Sequence, residues 1–227
     1  MSAPDATARV ATVREAIAAA CGRCGRRPDQ VTLVGVSKIH PAAAVQSVVD
    51  AGVTILGESR VQEATEKVPH LTGVTELHMV GRLQRNKAKA AVALFDVIQS
   101  VDRPSLAEAL HAAAEAAGKV QRVFVQVNIG DEAQKGGVAP EALAALLATM
   151  SALPHLRVEG LMCVPPYDLD PEAARPYFRT LAELAAAHRP AGAPPLALSM
   201  GMSSDFEVAI EEGATHVRVG TALFGAR

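Results

Sequence analysis

The 227-residue chain contains no tryptophan, two tyrosines and five phenylalanines, so that aromatics make up only 3% of it. That removes the ring platforms on which single-stranded nucleic acids stack and leaves a core built from Ala, Val, Leu and Ile. Three cysteines cannot pair off completely, which argues against a disulfide framework. A net charge of −2 supplies no general basic field for nucleic acid or an acidic membrane surface. There is no apolar run of membrane-spanning length, no signal-peptide core, no linker rich enough to divide domains, and no GxGxxG after a strand. These absences point to one cytoplasmic domain over 1–227, with no nucleic-acid and no membrane partner.

What is present starts with Val31-Thr32-Leu33-Val34-Gly35-Val36-Ser37-Lys38, an apolar, β-branched run of the kind that forms a buried strand. Strand alternation puts Lys38 on the side of Val34 and Val36, at the strand's C-terminal end. A lysine there is expected to be close to desolvated, which favours the neutral amine that attacks carbonyls. Lys38 is therefore a Schiff-base candidate, although a lysine that snorkels to solvent or pairs with a carboxylate suits the same position.

The rest of the chain alternates. Apolar residues at three- and four-residue steps predict a helix over 5–24, with Cys21 and Cys24 as buried helix residues in preference to a metal or redox pair. Strands are expected over 53–56, 76–80, 97–100, 123–128, 158–164, 196–198 and 215–219, with helices between them. Ser204 and Glu207 have capping-box spacing for the helix that ends at Gly213. Arg82, Arg85, Lys87 and Lys89 suit a solvated helix face, or a phosphate or anionic partner. Eight short strands alternating with helices predict a single (β/α)8 TIM-like barrel with an extra N-terminal helix beneath or beside it; an open doubly wound sheet is the alternative.

In a barrel the strand C-termini carry function, which singles out Lys38, Glu58 and Ser59, Gly81 near His78, Asn128, Met162 and Cys163, then Ser199-Met200-Gly201-Met202-Ser203 and Gly220-Thr221-Ala222. Hydroxyls and glycines after strands seven and eight suit a phosphate cup from Ser199, Gly220 and Thr221. Arg218, inside an apolar strand, needs a partner, either a carboxylate such as Glu58 or Glu207, or a ligand acceptor. Against a pyridine nitrogen an arginine could only donate, leaving that nitrogen unprotonated and the ring a poor electron sink. A Schiff-base lysine, a phosphate cup and a donor between them describe a pyridoxal 5'-phosphate site.

Val36-Ser37-Lys38, Gly57-Glu58 with Val61-Gln62-Glu63, His78 to Gly81 with Leu83-Gln84 and Asn86-Lys87, Asn128 to Glu132 with Lys135, Gly160-Leu161-Met162, Leu198 to Ser203 with Asp205, and Val217 to Thr221 with Phe224-Gly225 together resemble the YggS/PROSC-type pyridoxal phosphate homeostasis proteins. The resemblance runs from Val31 to Gly225. It implies a barrel similar to the N-terminal domain of alanine racemase, cofactor held on Lys38 as an aldimine, phosphate contacts from Ser199, Gly220 and Thr221, and Arg218 at the ring nitrogen. Ser59, His78 and Met200 complete the expected cofactor-binding set, with no metal. The family usually has Asn where Ser59 stands, and Lys is common at His40. The resemblance also implies a protein that holds the cofactor, or delivers it to apo pyridoxal-phosphate enzymes, without robust catalysis; a closed barrel without an obvious dimerisation element favours a monomer. A weak amino-acid racemase using Lys38 as its single base is the alternative; a cofactor-free Schiff-base aldolase shares Lys38 but leaves Arg218 unexplained.

Overall fold

A computed structural model describes residues 5–130, 132, 135–168, 170–190 and 192–225. Eight parallel strands close into a barrel in sequence order: β1 Thr32–Val36, β2 Ile55–Glu58, β3 Glu76–Met79, β4 Val97–Val101, β5 Gln121–Gln126, β6 Leu156–Met162, β7 Ala197–Ser199 and β8 His216–Val219. β8 returns to β1 with Thr32 opposite His216 and Gly35 opposite Val219, which completes the ring and excludes the open doubly wound sheet. The helices are α1 Ala6–Arg23, α2 Ala42–Asp50, α3 Val61–Lys67, α4 Ala88–Leu94, α5 Pro104–Ala116, α6 Leu143–Ser151, α7 Arg175–Ala187, α8 Phe206–Glu211 and α9 Thr221–Phe224.

The expected strands are present, with shifted boundaries. β2 begins two residues later than its apolar run and also ends two later, because Gly57 and Glu58 continue the ladder opposite His78 and Met79. β5 begins at Gln121, a fully buried polar residue whose amide donates to the carbonyls of Phe95 and Asp96, so polarity at that position does not end the strand. The expected Ser204 capping box does not form: α8 starts at Phe206, Asp205 stands at its N-cap, and Glu207 faces away to pair with Arg23.

The extra N-terminal helix lies beside the barrel. α9 is only four residues long and leaves the outer ring short, and α1 packs against α8, α9 and α2. Val10, Val13, Ile17, Ala20 and Cys21 form its buried stripe, burying apolar surface at roughly 25 cal/mol per Å². Polar ties lock it in place: Arg9 Nε donates to Leu223 O at 2.6 Å, Arg26 Nη1 to Ile210 O at 2.8 Å, and Arg23 pairs with Glu207 and Glu211. Cys21 is buried and Cys24 half-buried with its thiol against the Ala20 carbonyl, as helix packing residues. Among the described residues no helix is long and apolar enough to cross a membrane.

Candidate functional site

The C-terminal ends of the strands surround a pocket of about 760 Å³, within the range of small-molecule sites. Val36 and Lys38 leave β1 into it, Ser59 follows β2, Val80 and Gly81 follow β3, Gln126 ends β5, and Arg218 with Gly220 and Thr221 closes the far side. Alternation along β1 therefore holds past its last residue. The expectation that Lys38 is desolvated does not. Lys38 is exposed, two residues beyond the strand, where the wall of the barrel has already opened.

The turn that carries Lys38 is anchored from behind. Val36 faces inward, so Ser37 faces outward, where its hydroxyl donates to Glu58 Oε1 at 2.6 Å. Lys67 on α3 reaches the same place, donating to Ser37 O at 2.7 Å, Glu58 Oε1 at 2.8 Å and Glu63 Oε1 at 2.9 Å. The Ile39 N–H donates to that Glu63 oxygen, and Ile39 sits at φ +64°, a left-handed conformation that an isoleucine adopts only under constraint. Beyond it, His40 stacks on Phe224 of α9 with ring centroids 4.9 Å apart. Glu58 thus belongs to this anchor and is not the partner of Arg218.

Arg218 is buried in β8, and Glu207, the other carboxylate considered for it, pairs with Arg23. Its Nη1 donates to Ser199 Oγ at 2.7 Å and its Nη2 to the Cys163 carbonyl at 2.8 Å. Two bonds leave the guanidinium, with five N–H groups in all, donors to spare toward the pocket it lines. Burial lowers its pKa and pushes the neighbouring Cys163 thiol up to about 12.

Ser199 is one link in a polar chain through the barrel interior. An arginine can only donate, so Ser199 Oγ accepts from Arg218 and gives its own proton to Gln99 Oε1 at 2.6 Å. The Gln99 amide nitrogen then faces His78 Nδ1 at 2.7 Å and donates to it, which places the ring proton on Nε2, 2.9 Å from Glu76 Oε2. Arg122 closes the chain on Glu76 and Glu159. The His78 bond, with Arg122 behind it, holds the Glu76 carboxyl at about 2. Beside this chain Val97, Phe124 and Met162 form an apolar cluster.

This arrangement divides the expected site residues. Lys38, Ser59, Arg218, Gly220 and Thr221 line the pocket together. His78, Ser199 and Met200 do not: all three are fully buried, and the hydroxyl of Ser199 is bonded to Arg218 and Gln99 behind the pocket lining. Ser203 lines the pocket beside Gly220. Its Oγ accepts from Gly220 N at 3.1 Å and Ala222 N at 3.3 Å, so two backbone donors converge on one oxygen at the mouth of the pocket. Asp205 holds the loop that presents it, accepting from Met202 N at 2.6 Å, and Gly201 at φ +90° makes the turn. Gln126, Lys135 and Tyr167 also line the pocket. Parity on the fifth strand, two residues before Asn128, could have found Gln126, whereas the loop residues carry no periodic signal. In the polar loop after β5, Asp131, Ala133 and Gln134 lie outside the described residues, while Lys135 Nζ donates to the Pro165 carbonyl at 2.7 Å.

The donor set fits a phosphorylated pyridine aldehyde: an exposed amine, a donor-only guanidinium and convergent backbone N–H groups share one pocket. The comparisons agree. Residues 10–227 match the family described as alanine racemase, N-terminal domain. The pyridoxal phosphate homeostasis protein of Aquifex aeolicus is 44% identical, the match covering 98% of this chain and 99% of that one; the Escherichia coli protein of the same name is 40% identical over 98% and 97%. The structure of PipY from Synechococcus elongatus with PLP bound superposes with a TM-score of 0.86 at 38% identity, covering 97% of this chain and all of that one. Alanine racemase from Corynebacterium glutamicum shares the fold at 20% identity and a TM-score of 0.70, with 62% of its chain covered. The chain belongs to the alanine racemase N-terminal domain family and, within it, to the pyridoxal phosphate homeostasis proteins.

Proposed function

We propose that this protein binds pyridoxal 5'-phosphate and keeps it available to apo-enzymes in the cytoplasm, as a carrier and not as a catalyst. The observation that supports this reading is the single pocket shared by Lys38, Arg218 and the Ser203–Gly220–Ala222 cup. When bound, the cofactor supplies an aldehyde able to form a reversible carbon–nitrogen bond with an amine. Lys38 is the amine, and its exposure suits a bond that must be released again. Arg218 orients the pyridine by donating to its nitrogen, and the Gly220 and Ala222 N–H groups, which donate to Ser203 Oγ in the structure, would exchange that oxygen for the phosphate. Because Arg218 brings no removable proton to that nitrogen, it withholds the charge that makes the ring a strong electron sink. The same residue therefore favours holding over carbanion chemistry, and weak racemisation by Lys38 is the lesser reading.

The test is visible absorbance of the purified protein before and after borohydride, followed by peptide mass mapping. A yellow band that bleaches, with the reduced adduct on Lys38, is expected; a colourless protein that takes up no added cofactor would overturn the reading. Transfer to an apo-enzyme faster than spontaneous release separates a carrier from a passive binder, and exchange of the alanine α-proton into deuterated water would favour the racemase.

A further inference from the structure

A second cleft, of about 700 Å³, opens beside the pocket, and Ser59, Gly81 and Arg82 line both. The wall between them is thin for a physical reason. A Cβ on Gly81 would stand 2.2 Å from the Ser59 carbonyl oxygen, so backbone meets backbone there, and the only side chain Ser59 adds is a hydroxymethyl group. Three loops at strand C-termini bring cations to this cleft: Arg60 after β2, Arg82, Arg85 and Lys87 after β3, and Arg103 after β4.

The lining contains no Asp or Glu. Arg103 is already satisfied by Asp102 and the Leu83 carbonyl. Among the described residues Arg60, Arg82, Arg85 and Lys87 make no ion pair within 4 Å and no side-chain hydrogen bond; Arg60 feels the charge of Glu63 only at longer range, since that carboxylate is bonded to Lys67 and the Ile39 N–H. A merely solvated charged face mixes signs along one helix. Here one sign is gathered from separate loops into a concavity, in a chain whose net charge is −2. Its size fits a small molecule, and the absence of any aromatic ring in the lining argues against a stacked polynucleotide.

We propose that this cleft is a second binding site, which takes the phosphate group of a small phosphomonoester through Arg60, Arg85 and Lys87, next to the pocket where the cofactor is held. The inference rests on the reading above for the neighbouring pocket, and extends it: a phosphorylated ligand can dock at the rim while the first is bound to Lys38.

The test uses full-length protein loaded with pyridoxal phosphate and reduced with borohydride, so that the barrel pocket is filled; mass mapping of Lys38 reports that step separately. Absence of the adduct would count against the proposed function and not against the cleft. Pyridoxamine 5'-phosphate, which has the phosphate but no aldehyde, is then titrated by calorimetry. One equivalent is expected to bind, more weakly as salt rises. The R60A/R85A/K87A variant should weaken that binding about tenfold or more while forming the Lys38 adduct normally, which also reports that it is folded. Inorganic phosphate competing as well as the vitamer identifies free phosphate as the ligand, and a vitamer that binds much more tightly identifies a phosphorylated ring compound. No binding to the loaded protein, binding unchanged in the triple variant, or equal binding of unphosphorylated pyridoxal would overturn the proposal.

Discussion

Lys67 Nζ lies 2.8 Å from Glu58 Oε1, and both side chains are buried. This ion pair sits outside the barrel wall, directly behind the turn that carries Lys38, and it couples that turn to α3 through the Ser37 carbonyl and Glu63. Replacing Lys67 by Met leaves Glu58 buried with Oε2 already lacking a hydrogen-bond partner in the structure. The variant should lose about 3–5 kcal/mol in urea denaturation, the usual cost of stranding a buried charge. Adding Glu58→Gln should restore much of that. It should not restore the Lys67 bonds to the Ser37 carbonyl and Glu63 that hold the turn, so the double variant is expected to fold yet form the Lys38 adduct more slowly than the wild type. Equal adduct rates would show that the pair serves stability alone.

Ser199 and Ser203 separate two roles that the sequence merged. Removal of the Ser199 hydroxyl leaves a buried Arg218 nitrogen and the Gln99 carbonyl without their partner, so Ser199→Ala should cost about 1–3 kcal/mol of stability and only a few-fold in cofactor affinity. Ser203→Ala should do the reverse, sparing stability while loosening the cup formed with Gly220 and Ala222. Equilibrium dialysis and thermal denaturation of the two variants together check this. A larger affinity loss in the Ser199 variant would return the phosphate contact to Ser199.

The barrel was legible because its signals are periodic. Eight short, mostly apolar runs alternating with helical patterns predict eight strands, and parity along β1 puts Lys38 on the side of Val36. Arg218 announced itself as a cation flanked on both sides by valines within a strand. The polar chain was not legible. Gln99, His78 and Ser199 are each an ordinary polar residue in a short strand, and only closure of the ring brings β7 and β8 within bonding distance of β3 and β4. For the same reason the engagement of Ser199 was not legible: Ser199 and Ser203 both follow the seventh strand run, and what distinguishes them is a hydrogen bond to a residue 100 positions away. The exposure of Lys38 depends on where the strand ladder stops, two residues earlier than the apolar run suggested.

Thiol accessibility gives an independent check on the core. Cys163 is fully buried beside Arg218 with its pKa pushed up to about 12, and burial also raises Cys21. Thiolate is the reactive form. In native protein at pH 8 a disulfide reagent should therefore modify no more than Cys24, and Cys24→Ser should abolish the reaction, whereas all three cysteines of the wild type react in denaturant. Rapid native modification of Cys163 would mean that β6 and β8 do not pack as described.

His216 predicts how stability responds to acid. It packs within the barrel between His78 and Phe124, with ring centroids 6.1 and 5.2 Å away, and its Nδ1 lies 2.9 Å from Thr215 Oγ1. Burial, with His78 adding to it, holds the imidazole at about 4, below its ordinary 6.5. Protonation is thus easier in the unfolded chain than in the fold. The contribution is present in full above pH 6.5 and is lost as pH falls through 4. Glu76, held at about 2 by His78 and Arg122, adds its own loss only below its ordinary value of 4.5. Between pH 7 and pH 4.5 the wild type should then lose about 2 kcal/mol to His216, discounting for the part of the ring that reaches solvent. His216→Gln should flatten that interval and leave the steeper fall below pH 4.5 in place. If urea denaturation of the two proteins falls in parallel across it, the histidine is not held neutral by the barrel, and the packing around β8 must be looser than this structure shows.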